Sequence, residues 1–211
     1  MKIKNTFIKS TLILIIGGFI TKILGMFIKI ITNRLLPTEG IGLYMLITPT
    51  FMLLITIAQL GFPVAISKLV AEEKNNNKNL VFSIIPFSIL LNLVIMVILL
   101  FSSNYIGTYL LHDERCVLAL KCIGFVLPFI SISSILRGYF FGKQKMIPHI
   151  VSNITEDLVR LVTLLIGIPI FLKKGISYAL SFIILSNILS ELTSIFVLFF
   201  FLPKHFKIKK E

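Results

Sequence analysis

Apolar positions along this chain come in long blocks, without the alternation of a β-strand. Six blocks stand out, near 10–34, 43–66, 80–103, 117–137, 148–172 and 177–202, separated by short polar or breaker-rich connections. Each is long enough, at 1.5 Å per residue, to cross roughly 30 Å of hydrocarbon. In hydrocarbon an open segment satisfies its own backbone only as a helix. The pattern predicts an all-α integral membrane protein, with residues 1–211 forming a single lobe of six transmembrane helices.

The connections carry the expected breakers. Leu36-Pro37-Thr38-Glu39-Gly40 predicts a tight turn between the first two helices. Gly61-Phe62-Pro63 falls near the end of the second block and predicts a kink or unwinding there. Lys74-Asn75-Asn76-Asn77-Lys78 predicts a polar loop, and residues 105 to 113 a short interfacial helix. Pro128 sits midway along the fourth block and predicts a bend. The first block begins with lysines, as a signal peptide does. No small-residue cleavage site follows it, so it is expected to remain as a spanning helix.

Composition supports the membrane reading and removes others. The chain is 56% hydrophobic and 14% charged, against about 25% charged for a soluble domain. Disorder requires low hydrophobicity and is excluded on the same ground. A net charge of +12 raises the question of nucleic acid, but the basic residues sit between apolar blocks and form no soluble basic face. Cys116 and Cys122 form no CxxC pair and stand near no histidine cluster, so they are read as packing residues with no metal role. His112, His149 and His205 are scattered at block ends without metal spacing. There is no HExxH, nucleophile elbow, phosphate-binding loop or GxGxxG, and no enzyme, catalytic residue, cofactor or metal is expected.

Basic flanks set the orientation. Lys2, Lys4, Lys9, Lys68, Lys74, Lys78, Arg137, Lys143, Lys145, Lys204, Lys207, Lys209 and Lys210 fall on one side, against Arg34, Arg115, Lys173 and Lys174 on the other. Both termini are therefore expected in the cytoplasm of a multi-pass cell-membrane protein. The run Arg137, Lys143, Lys145 reads first as a topology signal and second as a contact for anionic membrane lipids.

A few charges remain inside the blocks: Lys22, Lys29, Lys121, Arg160, Glu156, Asp157 and Glu191. Each costs about 2.5–3.5 kcal/mol at the bilayer centre, so each needs a partner or water. Lys121 lies near a block end and is expected to snorkel. Gly18, Lys22, Gly25 and Lys29 recur at 4-3-4 spacing and share one face of the first helix. Two readings fit. The face is the cationic wall of a wet cavity, or its glycines pack on another helix while the lysines pair or snorkel. Glu156 precedes Arg160 by four and Asp157 precedes it by three, an internal salt bridge with one acid left over. Glu191 has no local partner. It is open to pairing with Lys22 or Lys29, or to carrying a proton.

Several stretches then read together: Thr21-Lys22-Ile23-Leu24-Gly25, Leu35-Leu36-Pro37-Thr38-Glu39-Gly40-Ile41-Gly42-Leu43-Tyr44, Gly61-Phe62-Pro63-Val64-Ala65-Ile66-Ser67-Lys68-Leu69-Val70, and Arg137-Gly138-Tyr139-Phe140-Phe141-Gly142-Lys143-Gln144-Lys145-Met146 with Pro148. In this order they resemble the oligosaccharide flippase branch of the multidrug, oligosaccharidyl-lipid and polysaccharide exporter superfamily, which includes Gram-positive lipid II flippases. The resemblance implies flipping of an undecaprenyl-pyrophosphate-linked saccharide by alternating access, in peptidoglycan or spore-cortex synthesis. It implies basic cavity residues for the pyrophosphate, with Lys22, Lys29 and Arg160 as candidates. Glu156, Asp157 and Glu191 would form the charge network, and Gly61, Pro63 and Pro128 the flex points. Family members have two six-helix lobes, and this chain matches the first. A second lobe supplied separately, a homodimer and a truncated form all fit. Two other functions stay open, a multidrug or cation antiporter of the same superfamily and a non-transporting membrane scaffold or remnant.

Overall fold

A computed structural model of the chain describes residues 2–72 and 77–202, and side chains within 10–72 and 81–202. Helix α1 spans Lys2–Leu35, α2 Thr38–Gln59, α3 Phe62–Glu72, α4 Asn77–Tyr105, α5 Val117–Gly142, α6 Met146–Leu172 and α7 Ile176–Phe201. Among the described residues there is no strand. Lys74, His205 and the C-terminal lysines lie outside the described residues.

The chain is thus a helical, multi-pass membrane protein. Among the described residues, five stretches are long and apolar enough to cross a bilayer, with α2 and α3 counted together. Helix α6 is outside that set: it has comparable length, 27 residues, but carries Glu156, Asp157 and Arg160 near its middle.

The kink or unwinding expected at Gly61-Phe62-Pro63 is a full break: the second block is two helices, because Leu60 and Gly61 both adopt left-handed backbone conformations, φ 44° and 70°. The Leu60 N–H bonds back to Thr56 O and Ile57 O, closing α2 before α3 restarts at Phe62. The buried Asn92 amide of α4 donates to Ala58 O at 3.2 Å and so satisfies one carbonyl at the break. The fourth block also ends later than expected, at Gly142 rather than near 137, and α5 passes Pro128 without a break. In place of the expected interfacial helix, a π turn, Ile106–Leu110, prolongs α4, and a 3-10 turn, Glu114–Cys116, leads into α5.

Helix α5 is the centre of the bundle. It packs against α3, α4 and α7, while α6 packs between α7 and α1. Its buried side chains Leu120, Ile123, Leu127, Ile135 and Leu136 have no accessible surface, whereas the α1 span is only 6% buried. Helix α3 reaches α5 through Gly138 and Gly142. A Cβ at Gly138 would stand 2.7 Å from Pro63 O, and one at Gly142 2.6 Å from Ser67 O. Glycine there is a packing requirement, since neither contact is with a flexible side-chain tip.

Candidate functional site

The i, i+4 and i, i+3 spacings on α6 place its three mid-helix charges on one face. Arg160 Nη2 donates to Glu156 Oε1 at 2.6 Å, and Arg160 Nη1 lies 3.9 Å from Asp157 Oδ1. Helix α5 adds a second guanidinium. Arg137 Nη2 donates to Glu156 Oε2, to Glu191 Oε2 at 3.3 Å and to Ser194 Oγ at 2.9 Å. Arg160 Nη2 also reaches Ser190 Oγ at 3.3 Å. Glu156 and Glu191 are buried, 7% and 5% exposed, so charge pairing is what makes them tolerable there. One network thereby fastens α5, α6 and α7.

This corrects two expectations. Arg137 is a member of the network rather than a flanking cytoplasmic charge. Glu191 pairs with Arg137, not with Lys22 or Lys29. Two signals pointed to Arg137. Three acids in two neighbouring blocks outnumbered the one arginine beside them, and the apolar run Tyr139-Phe140-Phe141 continues past residue 137. Removing Arg137 from the flanking set leaves the basic asymmetry in place.

A groove of about 540 Å³ lies between α1, α2 and α6. Gly25, Lys29 and Thr32 of α1 line one wall, Tyr44 and Thr48 of α2 another, and Asp157 and Arg160 of α6 the floor. Lys22 is exposed one heptad before Lys29 and is not part of the groove wall. Neither lysine has an ion-pair partner among the described residues. A Cβ added at Gly18 or Gly25 would meet nothing within 4 Å, so among the described residues no other helix packs on this small-residue face.

A second cavity, of about 600 Å³, opens beside α3. Val64, Ser67 and Lys68 of α3, Arg137 and Phe141 of α5 and His149 of α6 are among its walls. Thus Glu156 joins two guanidiniums, of which Arg137 borders one cavity and Arg160 the other. Gly61 sits at the α2–α3 break, Pro63 on the cavity wall, and Pro128 within α5. Among the described residues no group of three His, Cys, Asp or Glu is placed to hold a metal ion.

Comparison with known proteins matches this chain over residues 7–211 to a family model described as "Polysaccharide biosynthesis protein". Stage V sporulation protein B of Bacillus subtilis (strain 168) is 41% identical over 214 residues, covering 98% of this chain and 41% of that protein. Sporulation protein YkvU of the same organism is 29% identical over 161 residues, covering 76% of this chain and 36% of the relative. Lipid II flippase MurJ, also from that strain, is 25% identical over 179 residues, covering 79% and 33%. The chain therefore spans about two fifths or less of these relatives' lengths. No solved structure matches.

Proposed function

From the premise that this chain belongs to the polysaccharide biosynthesis protein family, we propose that it acts in flipping a lipid-linked cell-wall saccharide across the cytoplasmic membrane. In this reading it forms a six-span lobe with both termini cytoplasmic. It works opposite a second lobe, either a separate chain or a second copy. The substrate is an undecaprenyl-pyrophosphate-linked saccharide of peptidoglycan or spore-cortex synthesis.

The observation that carries the proposal is the convergence of Lys29 and Arg160 on one groove, with Lys22 on the same face of α1. Arg160 keeps a donor for a ligand: its Nη2 is engaged by Glu156 and Ser190, while Nη1 is beyond hydrogen-bond distance of Asp157. A diphosphate between Lys29 and Arg160 accepts from both. Opposite charges about 4 Å apart interact by about 4 kcal/mol at an effective dielectric of 20, against about 1 in bulk water. Lys22 extends the positive face by two turns and attracts the head group toward the groove.

Binding then biases the lobe between inward and outward states. The α2–α3 break at Leu60–Gly61 and Pro63 gives the backbone a place to flex, with Pro128 as a second one in α5. The network through Glu156 holds α5, α6 and α7 as one body against which α1 and α2 move.

The test is complementation of a flippase-depleted Gram-positive strain by this chain, with and without a separately encoded second lobe. Wild type restores growth and head-group translocation, and Lys22→Glu and Lys29→Gln abolish both. Normal translocation by these variants refutes the cationic-groove mechanism. Failure of the wild type under both conditions favours a non-transporting scaffold.

A further inference from the structure

The groove between α1, α2 and α6 holds an acid where an anion is expected to bind. Lys29 and Arg160 line it, and so does Asp157. The three acids of this region are not alike. Glu156 and Glu191 are buried and accept hydrogen bonds from guanidiniums. Asp157 accepts no hydrogen bond among the described residues, and its ion-pair partner, Arg160 Nη1, stands 3.9 Å away. Its side chain is 17% exposed, and neither carboxylate oxygen is among the buried unpaired atoms. Asp157 therefore presents open acceptor oxygens to the groove.

Geometry ties this acid to whatever binds Arg160. A phosphate oxygen that accepts from Nη1 sits about 2.9 Å from it. Nη1 is 3.9 Å from Asp157 Oδ1, so that phosphate oxygen lies within about 7 Å of Oδ1 from any direction of approach. This is inside the Debye length of about 8 Å at physiological ionic strength, and partly buried charges are screened less still.

We propose that Asp157 is a specificity residue: it repels a lipid diphosphate whose outer phosphate is uncapped and admits one whose outer phosphate is esterified to a sugar. This rests on the flippase reading and deepens it, by setting the sugar-bearing phosphate on Arg160.

The selection is by charge. A terminal phosphate monoester carries about 1.5 to 2 negative charges near pH 7, and esterification removes the second ionisation and leaves about one. Lys29 and Arg160 attract both forms, but only the uncapped form brings the added charge up to Asp157. A sugar also supplies hydroxyl donors, which an acceptor-only carboxylate can use. The groove, about 540 Å³, is in the size range that holds a whole small-molecule ligand, so room remains for a sugar beside the diphosphate. Repelling the wrong ligand is as valid a route to selectivity as gripping the right one. In a carrier, it keeps the sugar-free lipid from competing for the groove.

The experiment measures binding to the full chain in phosphatidylcholine nanodiscs by microscale thermophoresis. The probes are undecaprenyl pyrophosphate, its methyl ester on the outer phosphate, and the same lipid carrying N-acetylglucosamine there. Wild type binds both capped probes about tenfold tighter than the uncapped one, a modest share of the interaction between two charges at an effective dielectric of 20. Asp157→Asn tightens the uncapped probe most and cuts the preference to about twofold or less. Circular dichroism confirms folding, and if Asp157→Asn does not fold, Asp157→Ser takes its place. The ratio of affinities is the readout. A carboxylate that only trims the charge of Arg160 would, on removal, tighten all three probes alike and leave the ratio as it was, and that result overturns the proposal. So does a wild type that shows no preference, or prefers the sugar-bearing probe alone. Failure of wild type to bind any probe instead overturns the cationic groove, and the role of Asp157 falls with it.

Discussion

Arg137 and Glu191 stand 54 positions apart in the chain, yet Arg137 Nη2 donates to Glu191 Oε2 at 3.3 Å across the α5–α7 interface. The same Nη2 also meets Glu156 of α6, so one guanidinium holds three helices together. The consequence is that the charges most costly to bury are also the ones that fix the bundle.

Removing Glu156 is the severest single change to this network. Glu156→Ala leaves Arg137 and Arg160 facing each other without their shared carboxylate. Breaking a buried pair from one side costs about 3–5 kcal/mol. The double replacement Arg137→Met with Glu191→Leu removes one charge of each sign and is expected to cost less than Glu156→Ala. Thermal unfolding of the detergent-solubilised chain, followed by circular dichroism, checks both.

Glycines on α1 and α5 are expected to respond with opposite sign. Gly138→Ala drives a methyl against Pro63 O and is expected to destabilise by about 1–3 kcal/mol through overpacking. Gly18→Ala meets open space and gains up to about 1 kcal/mol of helix propensity. The same melting measurement distinguishes a packed glycine from an open one.

Water access to α1 is directly measurable. Lys22→Cys, in a chain with Cys116→Ser and Cys122→Ser, is expected to react with a charged, membrane-impermeant maleimide in liposomes. Leu90→Cys, at a site 63% exposed midway along the apolar α4, is expected to stay unlabelled within bilayer hydrocarbon. Equal protection of the two cysteines places Lys22 against acyl chains and removes its proposed role.

The turn before α5 has a pH signature. Arg115 donates to Asp113 from its backbone and side chain, and this holds the Asp113 carboxyl below its ordinary value of 3.8. Because the folded-state value is depressed, the pair's contribution is present above the unfolded value and is lost as pH falls through the folded one. The melting difference between wild type and Asp113→Asn is therefore expected to be constant from pH 7 to 5, about the range above both values, and to vanish only in stronger acid.

Much of the site was legible where it is local. The Glu156–Arg160 pair follows from helical spacing alone, and so does the shared face of Lys22, Gly25 and Lys29. Arg137 was hidden because a charge at the edge of an apolar block reads as a flank until the packing shows the helix running on to Gly142. The break at Gly61-Phe62-Pro63 was visible as glycine and proline, whereas the left-handed turn at Leu60 was not.

The amino-acid sequence by itself determined that this is a multi-pass helical membrane protein and that Glu156, Asp157, Arg160 and Glu191 lie inside its apolar blocks. These are sums over neighbouring residues, and hydrocarbon reads them locally. Only the tertiary structure decided which of those charges meet, which glycines face a backbone and which face open space, and that one carboxylate is shared by guanidiniums bordering two cavities. Those facts depend on how each helix is rotated against its neighbours, and side chains from every packed helix set that rotation together.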